Sequence, residues 1–221
     1  MKQSYNDVLV HARPSSFLSY LDNKLAAFLV YIFQGMPMTA NFITLLSFIF
    51  VLIAIYFLLI FDARILFICF LLISYTLDNV DGIWARLKNQ TSNFGKFFDP
   101  FLDKIKDYLI DLSFVIFYFD YIFDRVGDFR LMLIIISLYF ILKGLYYMVR
   151  DVNLSKIEKI IISSEKIKSE LFRYGGAEKF IITYPLLFIH FYVFVTYIIG
   201  HLLIYFIGVF INLYKILLNK E

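Results

Sequence analysis

The chain reads as an all-α membrane protein with six crossings preceded by a helix lying on the bilayer surface, and three observations carry that expectation. Hydrophobic types make up 61% of the 221 residues and charged types only 18%, whereas roughly a quarter of a soluble domain is charged. Two stretches, Asn41 to Ile60 and Phe180 to Ile199, run 20 residues each without a formal charge, about the length a helix needs to cross hydrocarbon. Aromatic residues reach 20%, with 27 Phe and 17 Tyr, which suits lipid-facing helices with rings at the interfaces.

The elements follow in order. The first residues lack the basic stretch, apolar core and small-residue cleavage site of a removable signal peptide, so none is expected. Pro14, Ser15 and Ser16 open a stretch whose Phe17, Leu18, Leu21, Leu25, Phe28, Leu29 and Ile32 fall on one helical face, the pattern of an amphipathic surface helix. Asn41 to Ile60 is span one. Ile65 to about Arg86, Phe94 to about Phe123 and Leu131 to about Tyr147 supply spans two to four. From Leu154 to Leu171, Lys156, Lys159, Lys166 and Lys168 oppose Ile157, Ile160, Ile161 and Ile167, so a second interfacial helix is expected there. Phe180 to Ile199 is span five and Leu202 to about Leu218 span six, with Gly200 as the terminator between them. No repeat or low-complexity linker divides the chain, which predicts one domain over 1–221: an N-terminal segment at 1–40 and a six-helix core at 41–218.

The basic residues orient this arrangement. With the N-terminus in the cytoplasm, sixteen of the 21 lysines and arginines fall on the inner side and only Arg64, Arg125 and Arg130 on the other, while Lys104 and Lys106 sit within a span. That bias places both termini, and the loop after span two, inside the cell. A net charge of +3 is too small to imply nucleic acid. Cys69 is the single cysteine, so an internal disulfide is excluded and a small core residue is expected. Trp84 reads as an interfacial anchor, His11 as a surface residue, and His190 and His201 as groups satisfied by helix contacts.

The informative residues flank the loop after span two: Asp78, Asp81, Gly82, Ala85 and Arg86, then Gly95, Asp99 and Asp103. Carboxylates at membrane depth are costly and mark functional cavities. Asp78 and Asp81 are spaced i, i+3 and Asp99 and Asp103 i, i+4, so each pair shares a helix face. Two helices joined by a short loop would gather four mutually repelling acids, a conflict that two bridging divalent cations resolve while creating a phosphate site. Asp107 and Asp111 extend the ladder beyond Asp103, to roughly 18 Å from Asp99 at 1.5 Å per residue. They are expected to pair with Lys143, Lys104 or Lys106, or else to line an acceptor pocket.

These residues fit D-x2-D-G-x2-A-R-x8-G-x3-D-x3-D without a mismatch. With each type at roughly 7% frequency, eight fixed positions agree by chance at below about one in 10⁹ starting points. The pattern resembles the signature of the class I, integral-membrane CDP-alcohol phosphotransferases. A P-N-x-x-T element entering span one is also similar, with Asn41 and Thr44 present and Ala40 in place of the proline.

The resemblance implies transfer of a phosphoalcohol from a CDP-linked donor to an acceptor hydroxyl, with release of CMP and with two Mg²⁺ or Mn²⁺ ions as cofactors. Asp78, Asp81, Asp99 and Asp103 resemble the metal ligands, and Asp103 also the general base. Gly82, Ala85 and Gly95 are similar to the small residues against which the cytidine packs, joined by Arg86, Asn41 and Thr44 on the nucleotide side. Phosphate-bearing acceptors need a cationic subsite, for which Lys143, Arg150, Arg173 and Lys179 are candidates. The resemblance further implies a homodimer in the cytoplasmic membrane and a lipid donor, CDP-diacylglycerol or an archaeal CDP-diether. Phe98-Asp99-Pro100 with Asp103-Lys104 is closer to glycerophosphate-type members than to serine-type ones, and inositol phosphate is the other acceptor considered. A soluble donor with a soluble acceptor stays open, and a cation transporter or a catalytically silent protein are competing classes. A transporter would scatter its acids through several spans, whereas these cluster beside one loop.

Overall fold

A computed structural model describes residues 3–12, 17–157 and 179–218. Every regular element among them is helical. In chain order these are α1 (Tyr5–Leu9), α2 (Phe17–Phe33), α3 (Ala40–Phe61), α4 (Arg64–Leu87), α5 (Asn93–Phe117), α6 (Phe119–Val126) and α7 (Phe129–Ile157). A π-helical turn (Lys179–Thr183), α8 (Tyr184–Leu187) and α9 (Phe191–Leu218) complete the order. Four helices are long and apolar enough to cross a membrane: α3, α4, Phe129–Arg150 of α7 and Phe191–Tyr214 of α9. The protein is an integral membrane protein. The helix α5 has sufficient length at 25 residues, but its Asp and Lys residues remove it from the apolar set.

The described residues fall into two compact units, one of 3–117 with 179–186 and the other of 118–157 with 187–218. In the first, α3 and α4 form a hairpin closed by Asp62, whose left-handed φ of 50° a short polar side chain tolerates. The Asp62 N–H bonds back to Leu58 O and the Ala63 N–H to Phe57 O, satisfying carbonyls that the helix end leaves open. Ser4 caps α1 reciprocally with Asp7, whose exposed carboxyl these hydrogen bonds hold below the usual carboxylate range. The helix α2 forms as the sequence predicts. Its outward side carries Phe17, Leu21, Leu25, Phe28 and Ile32, all at least 46% exposed. Its inward side is small and polar, with Ser19, Asn23, Ala26, Ala27 and Val30 buried. Ala26, Ala27 and Val30 share a core with Ile43, Val80, Ile83 and Trp84.

Trp84 departs from its expected role as an interfacial anchor. It is fully buried, and its indole N–H donates to Met38 O at 3.1 Å, so the ring fills the core while its one polar atom is satisfied. Cys69 also departs: it is exposed rather than in the core, because a membrane helix has an apolar face for lipid as well as for packing.

Tyr118 separates α5 from α6, so the expected span from Phe94 to Phe123 ends at Phe117. In the second unit α7 packs against α9, with the Tyr146 and Tyr205 rings 5.3 Å apart and Gly208 facing Tyr146. Here the structure corrects spans five and six. Phe180 to Ile199 is not one helix; the π-helical turn, the four residues of α8 and a turn at 188–189 interrupt it. Pro185 has no N–H to continue a ladder, and the Tyr192 N–H donates to His190 Nδ1 at 3.2 Å where the new helix begins. That helix then runs through Gly200, the expected boundary, to Leu218. Absence of charge tells what lipid tolerates but not where the backbone turns. The interfacial helix expected at Leu154 to Leu171 lies mostly outside the described residues; α7 extends to Ile157.

Candidate functional site

The site is built on three helices of the first unit. Within the apolar run of α3, Thr44 and Ser47, about one turn apart and both buried, present hydroxyls to Asp81 of α4 and Lys106 of α5. The helix α4 carries Asp78 and Asp81 on its last turns and ends at Leu87; two residues on, the left-handed φ of 53° at Asn89 lets the Gln90 N–H reach Ala85 O at 2.9 Å. The helix α5 starts where Ser92 Oγ accepts the Gly95 N–H at 2.9 Å, a side-chain cap. Pro100 withdraws one donor from the ladder beside Asp99.

Asp78, Asp99 and Asp103 each offer an oxygen within 4.8 Å of the others. Asp99 Oδ1 is buried and accepts no hydrogen bond. A buried carboxylate oxygen without a partner, between two further carboxylates, is what a site awaiting a cation provides, so the residues present could hold a divalent ion. Asp81 stands apart from this trio. It is 4% exposed, accepts the Thr44 hydroxyl at 2.5 Å, and remains within electrostatic range of Asp78 and Asp99.

Sequence reasoning offered Lys106 only as a possible partner of Asp107 or Asp111 and missed its place among the signature acids. Its ammonium donates to Asp78 Oδ1 at 2.5 Å and Ser47 Oγ at 3.1 Å and pairs with Asp103 Oδ1 at 2.6 Å. The i, i+3 spacing from Asp103 was the signal that could have found it. Also missed was a latch joining α2 to the signature helix. Asp22 accepts the Thr76 hydroxyl and the Asn79 amide, both at 2.6 Å. Asn23 reaches Asn79 Oδ1 at 3.5 Å. Burial, opposed by the Thr76 and Asn79 hydrogen bonds, raises the Asp22 carboxyl above its ordinary value.

The remaining predicted residues are placed as follows. The Arg86 Nε–H donates to His11 O at 2.7 Å, and a Cβ on Gly82 would stand 3.4 Å from the Arg86 guanidinium. Ala85 is partly buried beside the α2–α4 core. A Cβ on Gly95 would meet Asn41 Oδ1 and Ser92 Oγ at 3.2 Å, so the missing side chain brings the two helix starts together. Asn41 also lines a cavity of about 400 Å³ with Thr39, Ala40, Asn89, Gln90, Thr91 and Ser92. Ala40 holds this cavity's wall, its N–H donating to Gln90 Oε1 at 3.2 Å. Of the acceptor candidates, Lys143 and Arg150 both approach the Tyr147 ring in the second unit, at 6.0 and 4.9 Å. Lys179 bonds Asp107 at 3.3 Å in the first, so Asp107 has a partner that the sequence did not suggest. Arg173 lies outside the described residues.

Residues 37–213 match the family model described as CDP-alcohol phosphatidyltransferase. The chain belongs to the CDP-alcohol phosphatidyltransferase family. A search of curated proteins gives no significant match. CDP-alcohol phosphatidyltransferases are metal-dependent transferases that pass a phosphoalcohol from a CDP-alcohol to an acceptor and release CMP. The acid cluster of α4 and α5 is consistent with the metal dependence of that family.

Proposed function

We propose that the protein is a phospholipid-synthesising member that transfers a phosphatidyl group from CDP-diacylglycerol, or an archaeal CDP-diether, to a small phosphate-bearing alcohol. The observation that carries this reading is the convergence of Asp78, Asp99 and Asp103 around the unpartnered Asp99 Oδ1. A cluster at the end of a membrane helix gives acyl chains access to the site from lipid. Asp78, Asp81, Asp99 and Asp103 would hold two Mg²⁺ or Mn²⁺ ions, which supply charge neutralisation at the donor diphosphate.

In this reading Asp103 takes the proton of the acceptor hydroxyl at its carboxylate. The acceptor oxygen bonds to the phosphorus nearer the donor alcohol, the bond from that phosphorus to the bridging oxygen breaks, and CMP leaves with the electron pair. Gly82, Ala85 and Gly95 leave room for the cytidine, with Asn41, Thr44 and Arg86 around it. Thr44 serves by orienting Asp81. Within the unit that holds the acids, Lys179 is the cationic candidate for an acceptor phosphate, glycerol phosphate or inositol phosphate.

Six crossings are proposed on the strength of the lysine and arginine bias, with α5 as a crossing whose acids face the site and without the expected boundaries of spans five and six, which the helix Phe191–Leu218 replaces. Both termini and the active site lie on the cytoplasmic side, following the lysine and arginine bias, and the protein works as a homodimer. The deciding assay incubates purified protein with a CDP-lipid and Mg²⁺ or Mn²⁺, adds acceptors singly, and measures CMP. Organic-phase product supports the lipid donor. Aqueous product from a soluble CDP-alcohol supports solute synthesis instead, and absence of metal-dependent CMP release from either donor class sinks the reading.

A further inference from the structure

We propose that the Lys106 ammonium is a built-in counter-cation that occupies the acid cluster in the metal-free protein and is displaced when a divalent ion binds. The inference rests on the metal reading of that cluster. Lys106 is only 5% exposed, and its three ammonium donors have three acceptors: Asp78 Oδ1 from α4, Asp103 Oδ1 from its own helix and Ser47 Oγ from α3. Two of these belong to the carboxylate trio, and the third, Asp99, is left with its buried oxygen unpartnered.

Without a cation, three carboxylates within 4.8 Å in a low-dielectric setting repel strongly. One ammonium relieves Asp78 and Asp103 but reaches no hydrogen-bond distance to Asp99 Oδ1, so the compensation is incomplete. The same carboxylates are those a divalent ion would use, so ammonium and metal compete for one place. A compact charge on a flexible four-carbon stem is suited to leaving. The lysine would thus keep α3, α4 and α5 registered while metal is absent and set a threshold for metal loading.

The test is a Mn²⁺ titration of full-length protein in detergent, with free ion read by electron paramagnetic resonance. Wild type is expected to bind and Asp99→Asn to bind poorly, which checks the metal reading by itself. Lys106→Met is expected to bind about tenfold tighter, the scale of one charge-assisted hydrogen bond lost by the competitor. Equal or weaker binding by Lys106→Met overturns the inference alone; no binding by either protein overturns it together with the metal reading. A second measurement needs no variant: reductive methylation followed by mass spectrometry should find Lys106 protected in chelator and modified in saturating Mg²⁺. Unchanged protection would refute displacement even if the variant failed to fold.

Discussion

Asp103 pairs with Lys106 and stands beside Asp78 and Asp99, and its proposed task is proton removal. Asp103→Asn should therefore lower turnover by about 10²- to 10⁴-fold while the protein still retains a CDP-donor, measured by CMP release beside equilibrium binding. Near-normal turnover would remove Asp103 as base. Asp22 carries a different expectation. Its carboxyl is raised by burial, so its protonated form favours the fold below the ordinary carboxylate range, and that contribution is lost as pH rises through the raised value. Thermal midpoints of wild type and Asp22→Asn, followed from acidic to neutral pH, should show wild type losing ground to the variant as pH increases; parallel curves would contradict the burial argument. At this scale the sequence was partly legible. Signature spacing located Asp78, Asp99 and Asp103, because helical periodicity fixes which residues share a face. It said nothing of Thr44 holding Asp81 or of Lys106 reaching Asp78, because those contacts cross between helices 37 and 28 residues apart in sequence.

Between elements, small residues decide how closely helices approach. A Cβ on Gly208 of α9 would fall 2.6 Å from the Tyr146 ring of α7, closer than real contacts allow. Gly208→Val is expected to cost about 1–3 kcal/mol by overpacking. Pairing Gly208→Ala with Tyr146→Ala should be less damaging than the two single changes summed, read as a double-mutant cycle by thermal unfolding in detergent. Additivity would mean the ring does not press on α9. Element boundaries were the least legible part of the chain. The run of α3 followed from charge-free length, but Phe180 to Ile199 passed the same test and is broken at Phe188–His190. Hydropathy cannot see a π-helical turn, and Gly200, a conventional stop signal, lies inside a helix whose neighbours carry it. The apolar face of α2 read from the sequence is exposed, while its docking face depended on Asp22 and Asn23, which look like ordinary surface residues in a linear reading.

At the level of the whole protein, metal occupancy should couple to stability. Filling the site to about 100 times its dissociation constant adds about 2.7 kcal/mol to the folded state by mass action, so chelator should lower the unfolding midpoint and Mg²⁺ or Mn²⁺ restore it. An unchanged midpoint would argue against ion binding by the native state. Trp84 gives this measurement a built-in signal, being the single tryptophan and fully buried on the signature helix itself. The all-α class was legible from composition because hydrocarbon leaves a backbone few ways to satisfy its polar groups. Cys69 offers a different opportunity. Since it is the sole thiol in the chain and faces outward from α4, one spin label can be attached to the native sequence. Pulsed dipolar spectroscopy would then report a separation between two labels only if protomers associate, turning a residue with no assigned chemistry into a ruler for self-assembly.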